Sequence, residues 1–250
     1  SGPGRFRFGG LRDFIIGVRF VDGAGRLMRL GGKVVKNAAG FDLPKFFVGS
    51  AGRFGVLAEI TFKVFPRATT TRTLRLAAED DAAKLAVLTG AASTRWELDA
   101  LDTAVREEGV LARLAGPEAA LDALAAEIFS RWPGVTLTEV EAQECWGSVG
   151  EFRWAHAGGT LVKAALTPAQ VQEFATWVRG QPDARGRISA GGNVGYVSLP
   201  PGGVPPGMKW LALTLRGAGK LWPGAAPRFE VMRATKAALD PQNRFPDLDE

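Results

Sequence analysis

The 250 residues carry 46% hydrophobic content, enough for two modest domains, and no apolar run approaches the roughly 18 residues that a membrane-crossing helix needs. A net charge of +5 raises nucleic acid as a partner, but the arginines are spread thinly, with no basic helix, zinc spacing or aromatic RNA-binding signature. Nucleic acid is therefore set aside, and the single cysteine, Cys145, rules out an internal disulfide and suits a reducing, cytoplasmic compartment.

The chain opens at Ser1 with no methionine and no leader pattern, as expected of a processed, tagged or cut product of a longer chain. From Asp13 to Val21, DFIIGVRFV reads as a strand, and Asp22-Gly23-Ala24-Gly25 turns it into a second strand over Arg26 to Leu30. Asp42 is placed to cap a short helix reaching Val48, with Pro44 in the first turn, where its missing N–H costs nothing. Then comes Gly49-Ser50-Ala51-Gly52-Arg53-Phe54-Gly55. Three glycines at this spacing let backbone N–H groups approach an anion with no Cβ in the way. The same glycines would serve equally to turn a helix end into a strand. A strand, not a helix, should come next, which separates the motif from the Rossmann fingerprint. Val56, Ala58, Ile60, Phe62 and Val64 alternate with Glu59, Thr61 and Lys63, predicting a strand with one buried side that ends at Pro66.

Beyond Pro66 alanine and leucine rise, glycine thins, and the polar joint Thr69 to Thr73 marks a boundary between segments 1–67 and 68–225. The pattern predicts strand 72–77, helix 80–91, strands 94–101 and 108–115, an amphipathic helix after Pro117 and strand 135–140. That order, βαββαβ, is a ferredoxin-like sheet backed by two helices, so the fold class is α+β. Between Ala142 and Ala157, Cys145, Trp146, Trp154 and His156 crowd together. The tryptophans are expected to pack a surface helix onto the sheet, and nothing in the sequence orients Cys145 and His156 as a catalytic pair. Strand 160–166, a helix opened by Thr167-Pro168-Ala169-Gln170, the glycine-rich turn 189–195, strands 194–199 and 209–215, and a helix over 228–239 complete the chain.

The stretch from Lys36 to Pro66 resembles the FAD-linked oxidases of the vanillyl-alcohol oxidase (PCMH) type, whose pattern is K-N-x-x-G-aromatic-D-L…G-S-x-G-x-x-G-V…E…K…P. The matching positions are Lys36, Asn37, Gly40, Phe41, Asp42, Leu43, Gly49, Ser50, Gly52, Gly55, Val56, Glu59, Lys63 and Pro66. Within that family Val34 to Gly40, with the opening Ser1-Gly2-Pro3 and Arg12-Asp13-Phe14-Ile15, looks most like a flavin subunit of glycolate oxidase. The resemblance implies FAD as cofactor, held by Asn37, Asp42, Gly49, Ser50, Gly52, Gly55 and the backbone at Val56. Arg53-Phe54 stands where the family usually has Thr-Leu, exchanging a hydroxyl near the phosphates for a charge that would replace it. It also implies that segment 1–67 is the C-terminal half of an FAD domain lacking its N-terminal half, which was removed, is supplied by another polypeptide, or has been lost. Segment 68–225 would be the ferredoxin-like cap domain, and 226–250 a helix returning to the FAD domain.

Oxidising a 2-hydroxy acid with flavin requires a base for the hydroxyl proton and a cation or metal for the carboxylate. Catalytic members of the family carry a histidine-bearing motif and a metal for these tasks. With His156 as the single histidine, no such metal centre can be assembled, and no catalytic residue is assigned. The resemblance therefore favours an FAD-binding subunit of a glycolate oxidase complex, alongside a related FAD subunit, an iron–sulfur subunit and a small 2-hydroxy acid. An independent dehydrogenase and a non-catalytic assembly module are the alternatives.

Overall fold

A computed structural model describes residues 2–33, 43–225 and 229–248. Two single-turn helices, α1 (Arg5–Phe8) and α2 (Leu11–Phe14), precede the hairpin strands β1 (Ile15–Val21) and β2 (Leu27–Gly31), and a 3-10 turn (Leu43–Phe47) leads into β3 (Val56–Phe62). Next in order are β4 (Thr70–Leu76), α3 (Asp81–Ala92), β5 (Ala100–Ala104), β6 (Val110–Gly116), α4 (Glu118–Arg131), β7 (Gly134–Thr136) and α5 (Glu139–Gly150). The chain closes with β8 (Thr160–Ala165), α6 (Val171–Arg179), β9 (Arg185–Ser189), β10 (Val194–Leu199), β11 (Ala212–Arg216) and α7 (Phe229–Leu239). These divide into a larger unit, 1–8 with 67–225, and a smaller one, 9–66 with 226–250. Residues up to Phe8 thus group with the larger unit. No helix among the described residues is long and apolar enough to cross a membrane.

The larger unit is built on one antiparallel sheet of eight strands, ordered β11-β8-β10-β9-β5-β6-β4-β7. Its β5-β6-β4-β7 half, with α3 and α4, has the expected βαββαβ order, and the β5–β9 pairing continues the sheet into the second half. One face buries the main core, including Leu74, Leu101, Leu114, Ile188 and Val197 with Leu88, Ile128 and Phe174 from α3, α4 and α6. Each fully buried side chain of this size contributes about 1.5–3 kcal/mol. Against the other face α5 lays Trp146, next to Ala100, with its indole N–H on Thr73 Oγ1 at 2.9 Å.

Two predicted strands are displaced. The strand expected at 94–101 begins only at Ala100, because the Thr94 hydroxyl bonds back to Ala91 and accepts from the Trp96 amide, prolonging the turn after α3. The strand expected at 135–140 stops at Thr136, because Thr138 and Glu141 form a reciprocal capping box that starts α5. All seven tryptophans and the one tyrosine, Tyr196, fall in the larger unit.

The smaller unit holds a three-stranded antiparallel sheet, β2-β1-β3, with Val18 opposite Ile60 and Arg19 opposite Glu59. Ile15, Val18, Phe20, Phe47, Phe54 and Leu248 form its core. The buried side expected of β3 is not buried: Val56 is 58% exposed, Ile60 39% and Phe62 42%. The alternation correctly marks a strand, but β3 lies at the edge of the described sheet while the core gathers over β1.

Candidate functional site

The glycine-rich loop, Gly49 to Gly55, sits between the 3-10 turn and β3 in the smaller unit. Aromatic rings hold both of its ends. Phe47 packs on Phe20 with centroids 4.4 Å apart, and Phe54 on Phe46 at 4.7 Å. Between these anchors the chain is left-handed at Gly49 (φ 87°), Ala51 (φ 47°) and Gly52 (φ 79°). Ala51 adopts this conformation without glycine's freedom, a local strain that surrounding structure must hold in place.

The amides of the loop divide into used and open. Ser50 N–H donates to the Phe47 carbonyl at 3.2 Å and Arg53 N–H to the Ser50 carbonyl at 3.0 Å. Among the described residues, no acceptor pairs with the amides of Gly49, Ala51 or Gly52. Gly49, Ala51 and Gly52 are exposed, and among the described residues a Cβ added at Gly49 or Gly52 would meet no atom within 4 Å. The apex is thus a short row of unfilled donors with open space beside it, an arrangement suited to phosphate oxygens.

Of the predicted site residues, Gly49 and Gly52 lie in this row, and Ser50 flanks it with its amide already spent. Gly55 serves the protein's own packing: a Cβ there would stand 2.8 Å from Phe20 Cδ2 and 2.9 Å from the Val21 carbonyl. Val56 begins β3, paired with Val21, its side chain exposed. Asn37 and Asp42 lie outside the described residues.

Arg53 stands where the resemblance expected a hydroxyl near the phosphates. It is buried, with Nη1 on the Ala51 carbonyl at 2.6 Å and Nε on the Asp247 carbonyl at 3.1 Å, so it braces the loop from behind. Its own carbonyl receives Lys236 Nζ at 3.4 Å, and that ammonium also meets Asp240 Oδ2 at 2.8 Å and the Phe245 carbonyl at 3.0 Å. Asp240 accepts further from the amides of Arg244 and Phe245. Burial pushes its carboxyl up, but the bonds from Lys236 and these two amides outweigh that and hold it at about 2. Lys236 and Asp240 are not marked as site residues by the sequence; their spacing of four across the end of α7 was the available signal.

Cys145 and His156 belong to the larger unit. Cys145 is half-buried with Arg75 Nη2 3.7 Å from its sulfur, and His156 Nε2 meets the Asp183 carbonyl at 2.8 Å. Among the described residues no three His, Cys, Asp or Glu side chains gather as metal ligands.

No family model matches the chain. It is 49% identical over 75 residues to glycolate oxidase subunit GlcE of Escherichia coli, a stretch covering 30% of this chain and 21% of GlcE. It is 41% identical over 68 residues to glycolate oxidase subunit GlcD of Bacillus subtilis, covering 27% of this chain and 14% of GlcD. The matched stretches thus span about a fifth or less of these relatives. Among solved structures, alkyldihydroxyacetonephosphate synthase superposes with a TM-score of 0.56 at 14% identity, over 97% of this chain and 53% of that one. The chain thus shares its α+β fold with this neighbour and a stretch of 68 to 75 residues with GlcE and GlcD, a similarity that points to the PCMH-type FAD-linked oxidases.

Proposed function

We propose that this chain is the FAD-binding subunit of a glycolate oxidase-type 2-hydroxy-acid dehydrogenase complex and takes part in flavin-mediated electron transfer there. The observation that carries the reading is the open row of amides at Gly49, Ala51 and Gly52. The GlcE and GlcD matches support it. Gly49 and Gly52 would donate to the FAD diphosphate, with the Ser50 hydroxyl beside them, while Gly55 and Arg53 keep the loop in shape. Asn37, Asp42 and the backbone at Val56 complete the proposed set. Bound flavin would supply the hydride acceptor that no side chain offers. The partners are a related FAD subunit and an iron–sulfur subunit, the substrate a small 2-hydroxy acid, and the compartment the cytoplasm.

The test is to titrate the chain, alone and with its co-purifying partners, with FAD and follow flavin fluorescence. Saturable quenching that weakens in Gly52→Val is expected. No flavin bound by chain or complex, before or after denaturation, would overturn the proposal.

A second reading, an assembly module without flavin, is favoured by one feature: Val56, Ile60, Phe62 and Val64 present an exposed apolar strip. A complex that retains partners but never acquires flavin absorbance would select it.

A further inference from the structure

Among the described residues, exposed large apolar side chains concentrate along one segment of the smaller unit: Val56, Leu57, Ile60, Phe62, Val64 and Phe65. The segment is β3 and its exit, hydrogen-bonded to β1 on one side and to no described strand on the other. Folded proteins blunt a free edge of this kind with proline, charge or a bulge. Here Pro66 comes after the strand, and the two breaks in register, between Ile15 and Gly17 and between Arg19 and Phe20, belong to the pairing with β1. Between those breaks Glu59, Ile60 and Thr61 stand in unbroken register opposite Arg19, Val18 and Gly17. The charges on the edge are Glu59 and Lys63, and whether they repel or attract a second strand depends on its register.

The backbone decides which groups a second strand could meet. The Lys63 amide donates inward, to the Phe14 carbonyl at 2.9 Å. Hydrogen-bonding direction alternates along an antiparallel strand, so the amides and carbonyls of Ile60 and Phe62 are turned outward, away from β1.

Two copies of β3 placed antiparallel about a two-fold axis can be tested register by register. An axis between residues would set the apolar side chains of one copy against the polar side chains of the other, so the axis passes through a residue. Through Glu59 it places like charges together. Through Ile60 it sets Leu57 against Lys63, and through Phe62 it sets Glu59 against Phe65. Through Thr61 it sets Glu59 of each copy against Lys63 of the other, Ile60 against Phe62, and Thr61 against itself. The Ile60–Phe62 pairs are then the ones whose outward backbone groups exchange hydrogen bonds. Glu59–Lys63 and Thr61–Thr61 fall at the closer, non-hydrogen-bonded positions, where opposite charges and paired threonines stabilise a ribbon.

We propose that β3 is the interface of a homodimer of this chain, two copies joining edge to edge in antiparallel register about Thr61. Glu59 keeps Arg19, at 3.2 Å on its own chain, and takes Lys63 of the second copy on its other side. The contact is closed, each free edge being used once by its own equivalent. Ile60 and Phe62 of both copies then lie side by side on the face that carries Val18. A single pair of short strands buries less than the roughly 1,600 Å² of a standard interface, so the dissociation constant expected is about 10–100 μM. The glycine loop enters β3 at Val56 and takes no part in the pairing, so the proposal stands or falls apart from flavin binding.

The test is sedimentation equilibrium of the 250-residue chain without flavin, at about 50 mM and about 500 mM salt, since salt screens exposed pairs. A monomer–dimer equilibrium that weakens in high salt is expected. Glu59→Lys and Lys63→Glu should each weaken it about tenfold at low salt, because each puts like charges together on both sides of the axis. Glu59→Lys combined with Lys63→Glu should restore the parental affinity within about threefold. Phe62→Pro removes an outward amide and no amide bond to β1, so it should abolish the dimer while far-ultraviolet circular dichroism stays parental. Should Phe62→Pro fail to fold, the charge exchange decides. A chain that stays monomeric up to about 200 μM would overturn the proposal. So would a dimer indifferent to the single charge changes, or one that the double exchange does not restore. A monomer that instead takes a strand of another polypeptide along β3 would assign the edge to that partner and overturn it equally.

Discussion

Arg53 Nε donates to the backbone carbonyl of Asp247 at 3.1 Å, fastening the glycine loop to the C-terminal segment from 194 positions away. Lys236 adds a second tie to the Arg53 carbonyl. The loop's shape therefore depends on α7 and the residues after it as much as on its own glycines.

Replacing Lys236 with Met removes the ammonium and leaves Asp240 buried with one partner fewer. Loss of one member of a buried pair costs about 3–5 kcal/mol. Because the smaller unit has no tryptophan or tyrosine, the loss is expected in a urea transition followed by far-ultraviolet circular dichroism and not in tryptophan emission.

Asp240 makes the same unit sensitive to acid. Its carboxyl sits at about 2 against an ordinary 3.8. A carboxylate depressed on folding stabilises above its unfolded value, and that stabilisation is lost as pH falls through the folded one. The smaller unit should weaken between pH 3.8 and about 2, and Asp240→Asn should flatten this dependence while lowering stability at neutral pH. Circular dichroism melts across that range check it.

Gly52 and Gly55 should separate binding from folding. Gly52→Ala places a methyl in open space at a cost of about 1 kcal/mol in backbone strain and narrows the approach to the amide, so flavin affinity falls more than stability. Gly55→Ala drives a methyl into Phe20 and the Val21 carbonyl and should destabilise by about 1–3 kcal/mol. Flavin titration beside urea denaturation of both variants distinguishes the two roles.

The buried Arg187–Asp102 pair gives a prediction for the larger unit. Arg187→Met alone should destabilise by about 3 kcal/mol, by stranding Asp102, whereas Arg187→Met with Asp102→Leu should recover most of that. Tryptophan emission during urea unfolding reports it, since every tryptophan lies in this unit.

What the sequence made legible was local. Glycines at 49, 52 and 55 marked the loop, alternation over 56–64 marked β3, and the Thr167 to Gln170 cap marked the start toward α6. What stayed hidden depended on distant partners. Arg53 reads as a charge beside the phosphates until Asp247 is brought next to it, and the pairing of Asp102 with Arg187 spans 85 positions. The exposure of β3 was invisible for the same reason, since alternation tells which side chains share a face and not what covers that face. The slip at 135–140 was a contest between β-branched residues and the Thr138–Glu141 cap, and the cap won.

The free margin at Val56–Phe62 has a practical consequence for handling the protein. Apolar side chains there accompany the outer backbone edge of the described sheet, and of the charges on this segment Glu59 is already paired with Arg19 at 3.2 Å. In concentrated samples, copies of the chain are expected to join along this margin and lose solubility well before either unit melts.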